Sequence, residues 1–325
     1  MQTILVTGSA GFIGSTLTEA LLDRGYRVVG IDNFDPYYPR SIKEGNLTDL
    51  LEDHWFSFVE GDIRDEPLLA ELMREYRPRA VVHLAALAGV RPSLAEPDRY
   101  MDVNVVGTTR VLEACRAGGV ERLVFASSSS VYGGGNLTPF SESQPTNSPL
   151  SPYAASKVAG EACCYTHHHL YDLSAVCLRF FTVYGPRQRQ DLAISKFTRN
   201  ITEGLPIQLY GDGGTSRDYT YVDDIVAGTI AALETDLEWD VINLGGSNPV
   251  TLRDLVRKLE QALDREAIID YLPLQPGDML RTCADVSHAR ESLGWEAKVD
   301  LDTGLRRYAA WYYDRQGAPL SLAAV

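Results

Sequence analysis

Short apolar runs alternate with longer amphipathic stretches along the first half of the chain, the pattern of strands feeding helices. Ile4-Leu5-Val6 is the first run; an amphipathic segment reaches about Arg24, and residues 27–31 form a second run that ends at Asp32. Further strands are predicted at 56–59, 80–84, 123–126 and 174–181, with helices at 66–75, about 99–117 and 153–170. The 33–53 segment is polar, is punctuated by Pro36 and Pro39, and reads as a loop with a short helix. Repeated strand–helix alternation predicts an α/β fold, a Rossmann-like doubly wound parallel sheet.

After Pro186 the regularity falls. The pattern predicts a helix to about residue 203, a strand at 207–210, a turn at 211–216, a helix to about 233 and a strand at 241–244 able to return to the main sheet. A helix at 252–263, a strand near 268, a turn at 276–278 and two further helices complete the chain. Residues 1–186 are therefore expected to be mainly cofactor-binding and 187–325 mainly a smaller substrate-binding region, with no internal repeat.

The first chemistry lies in the turn after the first strand. Gly8, Gly11 and Gly14 stand between that strand and the helix, with Phe12 and Ile13 opening the helix. Gly8 suits a tight turn, Gly11 a close approach to a pyrophosphate, and Gly14 close helix packing. Asp32 at the end of the second strand is placed to bind adenosine ribose hydroxyls and disfavours a 2′-phosphate, which points to NAD over NADP. Asp62 and Ile63 end the third strand as an adenine-side contact, and the small residues after Leu84, Ala85 and Ala86, suit close approach to the cofactor.

The second chemistry lies in 127–157, where an apolar strand opens into four consecutive serines and is followed by a helix carrying Tyr153 and Lys157. A spacing of four places both on one helix face. Tyr153 is the candidate base, with Lys157 binding nicotinamide ribose and favouring the phenolate. Lowering a tyrosine by three units takes about 4 kcal/mol, which lysine and an oxidised nicotinamide supply together. Ser128 is the candidate hydrogen-bond partner of the reacting hydroxyl, although four adjacent serines leave the register open locally. Tyr132 is assigned to the pocket wall or the core.

Charge and composition narrow the partners. A net charge of −14 argues against a general nucleic-acid binder, which needs a basic footprint, but leaves room for a small anion held by local arginines. No run of eighteen apolar residues predicts a membrane span, and the first strand begins too early for a signal peptide. Five cysteines without metal-site spacing favour a reducing, cytoplasmic setting. His83 lies within a strand and is expected to pack, while His167, His168 and His169 are expected on a helix surface or an interface; no metal site is predicted.

Taken with Asn104, Gly107-Thr108, Val131-Tyr132-Gly133, Arg217-Asp218-Tyr219 and Val222-Asp223-Asp224, these motifs make the chain resemble the extended short-chain dehydrogenase/reductases, specifically the nucleotide-sugar 4-epimerases. The resemblance covers nearly the full chain. It implies Ser128 as the catalytic serine, three residues before Val131, and adds Asn33 and Asn104 to the NAD contacts. Relatives that dehydrate or decarboxylate nucleotide sugars carry acids in one or both positions before Val-Tyr-Gly; Ser129 and Ser130 stand there in this chain, which favours epimerisation.

Within that family the chain looks most like UDP-glucuronate 4-epimerases, through 32–38, Ala88-Gly89-Val90-Arg91 and 179–186. The resemblance implies interconversion of UDP-glucuronate and UDP-galacturonate by a homodimer joined through helices around 99–117 and 153–170. Thr182 and Arg189 match positions implicated in uronate and nucleotide binding, with Arg91, Ser129 and Ser130 as further substrate contacts. Hydroxyl donors suit a carboxylate. Arg217 and Arg281 are the implied diphosphate ligands, Gln208 and Tyr210 approach uracil, and Asp278 binds ribose. Around Arg189 the chain reads Gln188-Arg189-Gln190-Asp191-Leu192, departing from the family's Gly-Arg-Pro-Asp-Met. The competing readings are a neutral UDP-glucose or UDP-N-acetylglucosamine 4-epimerase, a UDP-glucuronate decarboxylase, and a nucleotide-sugar sensing module.

Overall fold

In the computed structural model, which describes residues 1–273 and 279–316, the first half builds one parallel sheet. Its elements run β1 (Thr3–Thr7), α1 (Phe12–Asp23), β2 (Arg27–Asp32), α2 (Arg40–Leu47), β3 (Phe56–Glu60), α3 (Glu66–Tyr76), β4 (Ala80–His83) and α4 (Val90–Ala95). Then come α5 (Pro97–Met101), a π-helical turn (Asp102–Val106), α6 (Gly107–Gly118), β5 (Arg122–Ser128), α7 (Pro152–Tyr171) and β6 (Ser174–Phe180). The second half supplies β7 (Thr182–Tyr184), α8 (Ala193–Glu203), β8 (Ile207–Tyr210), β9 (Ser216–Tyr221), α9 (Val222–Glu234) and β10 (Trp239–Leu244). It ends with β11 (Pro249–Thr251), α10 (Leu252–Leu263), β12 (Ile269–Leu272), α11 (Ser287–Leu293) and α12 (Leu301–Gln316).

The main sheet has the order β10-β6-β5-β4-β1-β2-β3, with every neighbouring pair parallel. Both faces are buried, which explains the unbroken apolar runs. Ile4, Val6, Val82 and Val124 pack on the face covered by α1 and α9, whereas Leu5, Val81, Leu123 and Phe125 pack with residues of α3, α6 and α7 on the other. Strand order reverses between β1 and β4, and in open parallel sheets that crevice is where ligands bind.

The strand expected to return to the sheet does so, β10 pairing with β6 from Trp239↔Ala175 to Leu244↔Phe180. The remaining strands form two small sheets, β11-β9-β7 and β12-β8, over a third apolar cluster that includes Phe197, Leu255, Leu259 and Tyr308. The helix expected at about 99–117 is a continuous run interrupted by the π-helical turn around Asn104. Such a turn widens the helix locally and is frequent at functional sites.

Candidate active site

The turn between β1 and α1 is shaped by close backbone contacts. Gly8 adopts φ +74°, and a Cβ there would fall 2.9 Å from the Ala85 amide nitrogen across the crevice. A Cβ on Gly14 would meet the Gly8 carbonyl, 2.8 Å from its carbon. The helix is thus seated directly on the turn. Gly11 precedes α1, no side chain caps its first turn and no acid lies in it, so free N–H groups and the helix dipole favour an anion there.

At the end of β2, Asp32 is buried and oriented by its neighbours. Its carboxylate accepts from the amides of Ala10 at 3.3 Å and Phe34 at 2.8 Å. Lys43 of α2, also buried, places its ammonium 3.7 Å from this carboxylate and 4.8 Å from the centre of the Tyr38 ring. Sequence reasoning missed Lys43. It lies in a polar stretch with no local signal, and only the packing of α2 beside the glycine turn turns it inward.

The loop after β4 forms the crevice floor. The Ala85 amide donates to Thr7 Oγ1 at 3.1 Å, and the Leu87 amide donates to Asn104 Oδ1 at 2.8 Å. Asn104 Nδ2 donates to Leu87 O at 2.9 Å and lies 3.0 Å from Ser156 Oγ. Asn104 thereby braces this loop against α7, and it is not among the residues of the cavity wall. Asp62 likewise lies off the wall, while Gly61 and Ile63 line it. Its carboxyl, held at about 2 chiefly by hydrogen bonds from Arg64, also accepts from Asn33 at 2.9 Å.

The cavity has a volume of about 480 Å³. Its wall brings together Gly8, Gly11, Phe12, Ile13 and Gly14 with Asp32, Asn33 and 84–90, and with Ser128, Ser129, Ser130, Tyr153, Lys157, Thr182 and Arg189. Two distant stretches, the glycine turn and the serine–tyrosine–lysine group, thus share one wall.

Loss of water raises the Tyr153 phenol, while the neighbouring Ser128 hydroxyl and the charge of Arg189 pull it back. Lys157 is itself brought down to about 8 by burial, and its Nζ donates to Ala126 O at 2.7 Å. Ser128 Oγ donates to Ser130 Oγ at 3.1 Å and accepts from the Ser130 amide at 3.2 Å. Arg189 donates twice to Asp191, at 3.0 and 2.8 Å, and once to Ala88 O at 3.2 Å, with its guanidinium over the Tyr37 ring.

The other expected substrate contacts lie outside this wall, with Arg91 on α4 and Gln208, Tyr210 and Arg217 on strands of the small sheets. Arg91 lies with its guanidinium 5.0 Å from the Tyr210 ring centre, and exposed Gln208 is on the same strand as Tyr210. Arg217 adjoins Ser216, whose backbone bridges to exposed Arg281. None of these five lines the cavity, and Asp278 lies outside the described residues.

His83 packs as expected, 2.7 Å from Thr7 Oγ1 and 3.0 Å from Thr108 Oγ1, and burial pushes it down to about 3. Tyr132 is core, its hydroxyl donating to Asn243 Oδ1 at 2.6 Å. His167, expected on a helix surface or an interface, is buried where α6 packs along α7, with Nε2 2.9 Å from Glu113 Oε1.

The residues present fit a dinucleotide: a glycine cradle that a Cβ would obstruct, an uncapped helix start, and a buried acid at the end of β2. A family model described as "NAD dependent epimerase/dehydratase family" matches residues 4–245. A UDP-glucuronate 4-epimerase of Thermodesulfobacterium geofontis is 43% identical over 94% of this chain and 95% of its own. The crystal structure of UDP-glucuronic acid 4-epimerase from Bacillus cereus with UDP-glucuronic acid and NAD is similar at TM-score 0.90 and 38% identity, covering 97% of this chain and 99% of that one. The UDP-glucose 4-epimerase of Thermotoga maritima with UDP-glucose is similar at TM-score 0.89 and 32% identity, covering 97% and 100%.

Proposed function

Because this chain belongs to the NAD-dependent epimerase/dehydratase family, we propose that it interconverts UDP-glucuronate and UDP-galacturonate by NAD-dependent epimerisation at C4. The observation that carries the reading is the composition of the cavity wall around Tyr153. Hydroxyls of Ser129, Ser130 and Thr182 stand there with Arg189, and no acid occupies the two positions before Val131.

Bound NAD supplies a hydride acceptor that is restored in each cycle, by taking the C4 hydride and returning it to the opposite face of the sugar. The protein's residues manage the proton and the geometry. Tyr153 as phenolate removes the C4 hydroxyl proton and later gives it back, and Ser128 hydrogen-bonds first the hydroxyl and then the ketone. Lys157 holds positive charge at this end of the cavity and binds nicotinamide ribose; Asp32 binds adenosine ribose and excludes a 2′-phosphate. Between the two transfers the 4-keto sugar rotates about its pyrophosphate linkage. Arg217 and Arg281 hold the diphosphate during that turn, with Arg91, Gln208 and Tyr210 towards the uridine.

Oxidation at C4 makes the C6 carboxylate part of a β-keto acid, which loses carbon dioxide if the breaking bond aligns with the carbonyl π system. Thr182, with Ser129 and Ser130, fixes that carboxylate away from the alignment. Chromatography of products from UDP-glucuronate, UDP-glucose and UDP-N-acetylglucosamine tests the reading: UDP-galacturonate should be the dominant product, and a strong preference for a neutral sugar contradicts it. In the same assay Thr182→Ala should release a UDP-pentose or bind UDP-glucuronate more weakly, and no change in either counts against its role.

Two copies of the chain pair through α5–α6 and α7, where Met101, Val106 and Tyr165 are exposed apolar groups; a solution mass of one chain contradicts this. All five cysteines are free, which suits a reducing compartment, and the cytoplasm is the proposed setting, to be checked by cell fractionation. Among the described residues no helix is long and apolar enough to cross a membrane.

A further inference from the structure

Beneath the catalytic strand lies a charge pair that the reaction described above does not use. Glu161 follows Lys157 by four residues on α7 and Tyr153 by eight, so the three share one helix face. Glu161 and Arg179 are only 8% and 5% exposed, and neither lines the cavity. Arg179 Nε and Nη2 donate to the two Glu161 oxygens at 2.9 and 2.8 Å, and Ser127 Oγ donates to the same carboxylate at 2.5 Å.

The partners of this pair are telling. Lys157 Nζ donates to Ala126 O, and Ser127, the next residue, donates to Glu161; Ser128 follows immediately. Two consecutive residues of β5 are thereby tied to two successive turns of α7. Arg179 lies opposite Ser127 in the β5–β6 register, and its guanidinium is 4.8 Å from the centre of the Tyr132 ring. The Tyr132 hydroxyl donates to Asn243 of β10, so the ties cross three strands.

A buried ion pair adds little stability over a well-packed apolar pair, because desolvation offsets the attraction. Directional hydrogen bonds, by contrast, fix relative position. We propose that Glu161 and Arg179 are positioning residues for the reaction: their buried pair sets the register between α7, which carries Tyr153 and Lys157, and β5, which delivers Ser128. The inference rests on the reading of those three residues as the catalytic group, and it is independent of which UDP-sugar they act on.

The test removes both charges together, with Glu161→Met and Arg179→Met, since removing one would leave the other buried and unpaired. The double variant should keep its melting temperature within a few degrees, its NAD content and its KM, while kcat falls about 10- to 100-fold, the cost of misplacement near 1 Å. A folded, NAD-loaded double variant with kcat within about twofold of the unaltered protein overturns the inference. If the double variant does not fold, Ser127→Ala cuts the same tie at its strand end and should lower kcat about fivefold at constant KM and NAD content; unchanged kcat there overturns it equally. UDP-glucuronate is the first probe and UDP-glucose the second, so inactivity of the unaltered protein on UDP-glucuronate contradicts the substrate reading alone.

Discussion

Replacing Tyr153 by phenylalanine should lower kcat by about 10²- to 10⁴-fold, the range lost with a general acid–base group, while the purified protein still carries NAD. The phenol shares the cavity wall with Ser128 and Lys157 and is the group assigned to take and return a proton at C4. Ser128 and Arg189 favour its ionised form against the burial that opposes it. Phenylalanine keeps the ring that packs edge-on against Tyr100, 6.2 Å between centres, so the fold and cofactor site are expected to persist. Steady-state rates with NAD quantified after acid release give both numbers. Near-normal turnover would remove Tyr153 from the mechanism; loss of NAD would show that the residue holds the cofactor instead.

Gly14→Ala should weaken NAD binding about 10- to 100-fold, as forced overpacking against rigid backbone does. The new methyl would stand 2.8 Å from the Gly8 carbonyl carbon, closer than real Cβ contacts come, and 3.0 Å from Ser9 Cα, tighter than most of them. Neither neighbour is a flexible side-chain end that could turn away. Gly8 is itself held at φ +74° against Ala85, so α1 must move outwards, carrying its N-terminus from the pyrophosphate position. Titration of cofactor-free protein with NAD measures the loss. An alanine variant purified with a full complement of NAD would contradict the seating of helix on turn.

The parts of this site written in adjacent residues were legible in the sequence. Gly8, Gly11 and Gly14 declare themselves because a strand, a turn and a helix start are local events, and Asp32 follows at the end of the next strand. Tyr153 and Lys157 were legible because a spacing of four fixes a shared helix face whatever the tertiary fold. Glu161, four residues further on, obeys the same spacing, yet its meaning depends on Arg179 and Ser127, which only the pairing of β5 with β6 brings to it.

Asn104 shows another limit. Its amide bonds to Leu87 and Ser156 from the π-helical turn, a backbone event invisible in the apolar pattern. Lys43 was hidden because a buried lysine in a polar stretch reads as surface until α2 is packed. The strand at 207–210 was placed correctly along the chain, but its partner is β12, some sixty residues away, and such pairings leave no local trace.

The central claim, that this site epimerises UDP-glucuronate by removing and returning one hydride at C4, is tested most directly with UDP-glucuronate carrying deuterium at C4. Mass spectrometry and NMR of the product should find UDP-galacturonate with deuterium retained at C4, no solvent hydrogen entering the ring, and no free reduced nicotinamide accumulating. Washout of the label into water, or a labelled substrate recovered without any UDP-galacturonate, would contradict the account.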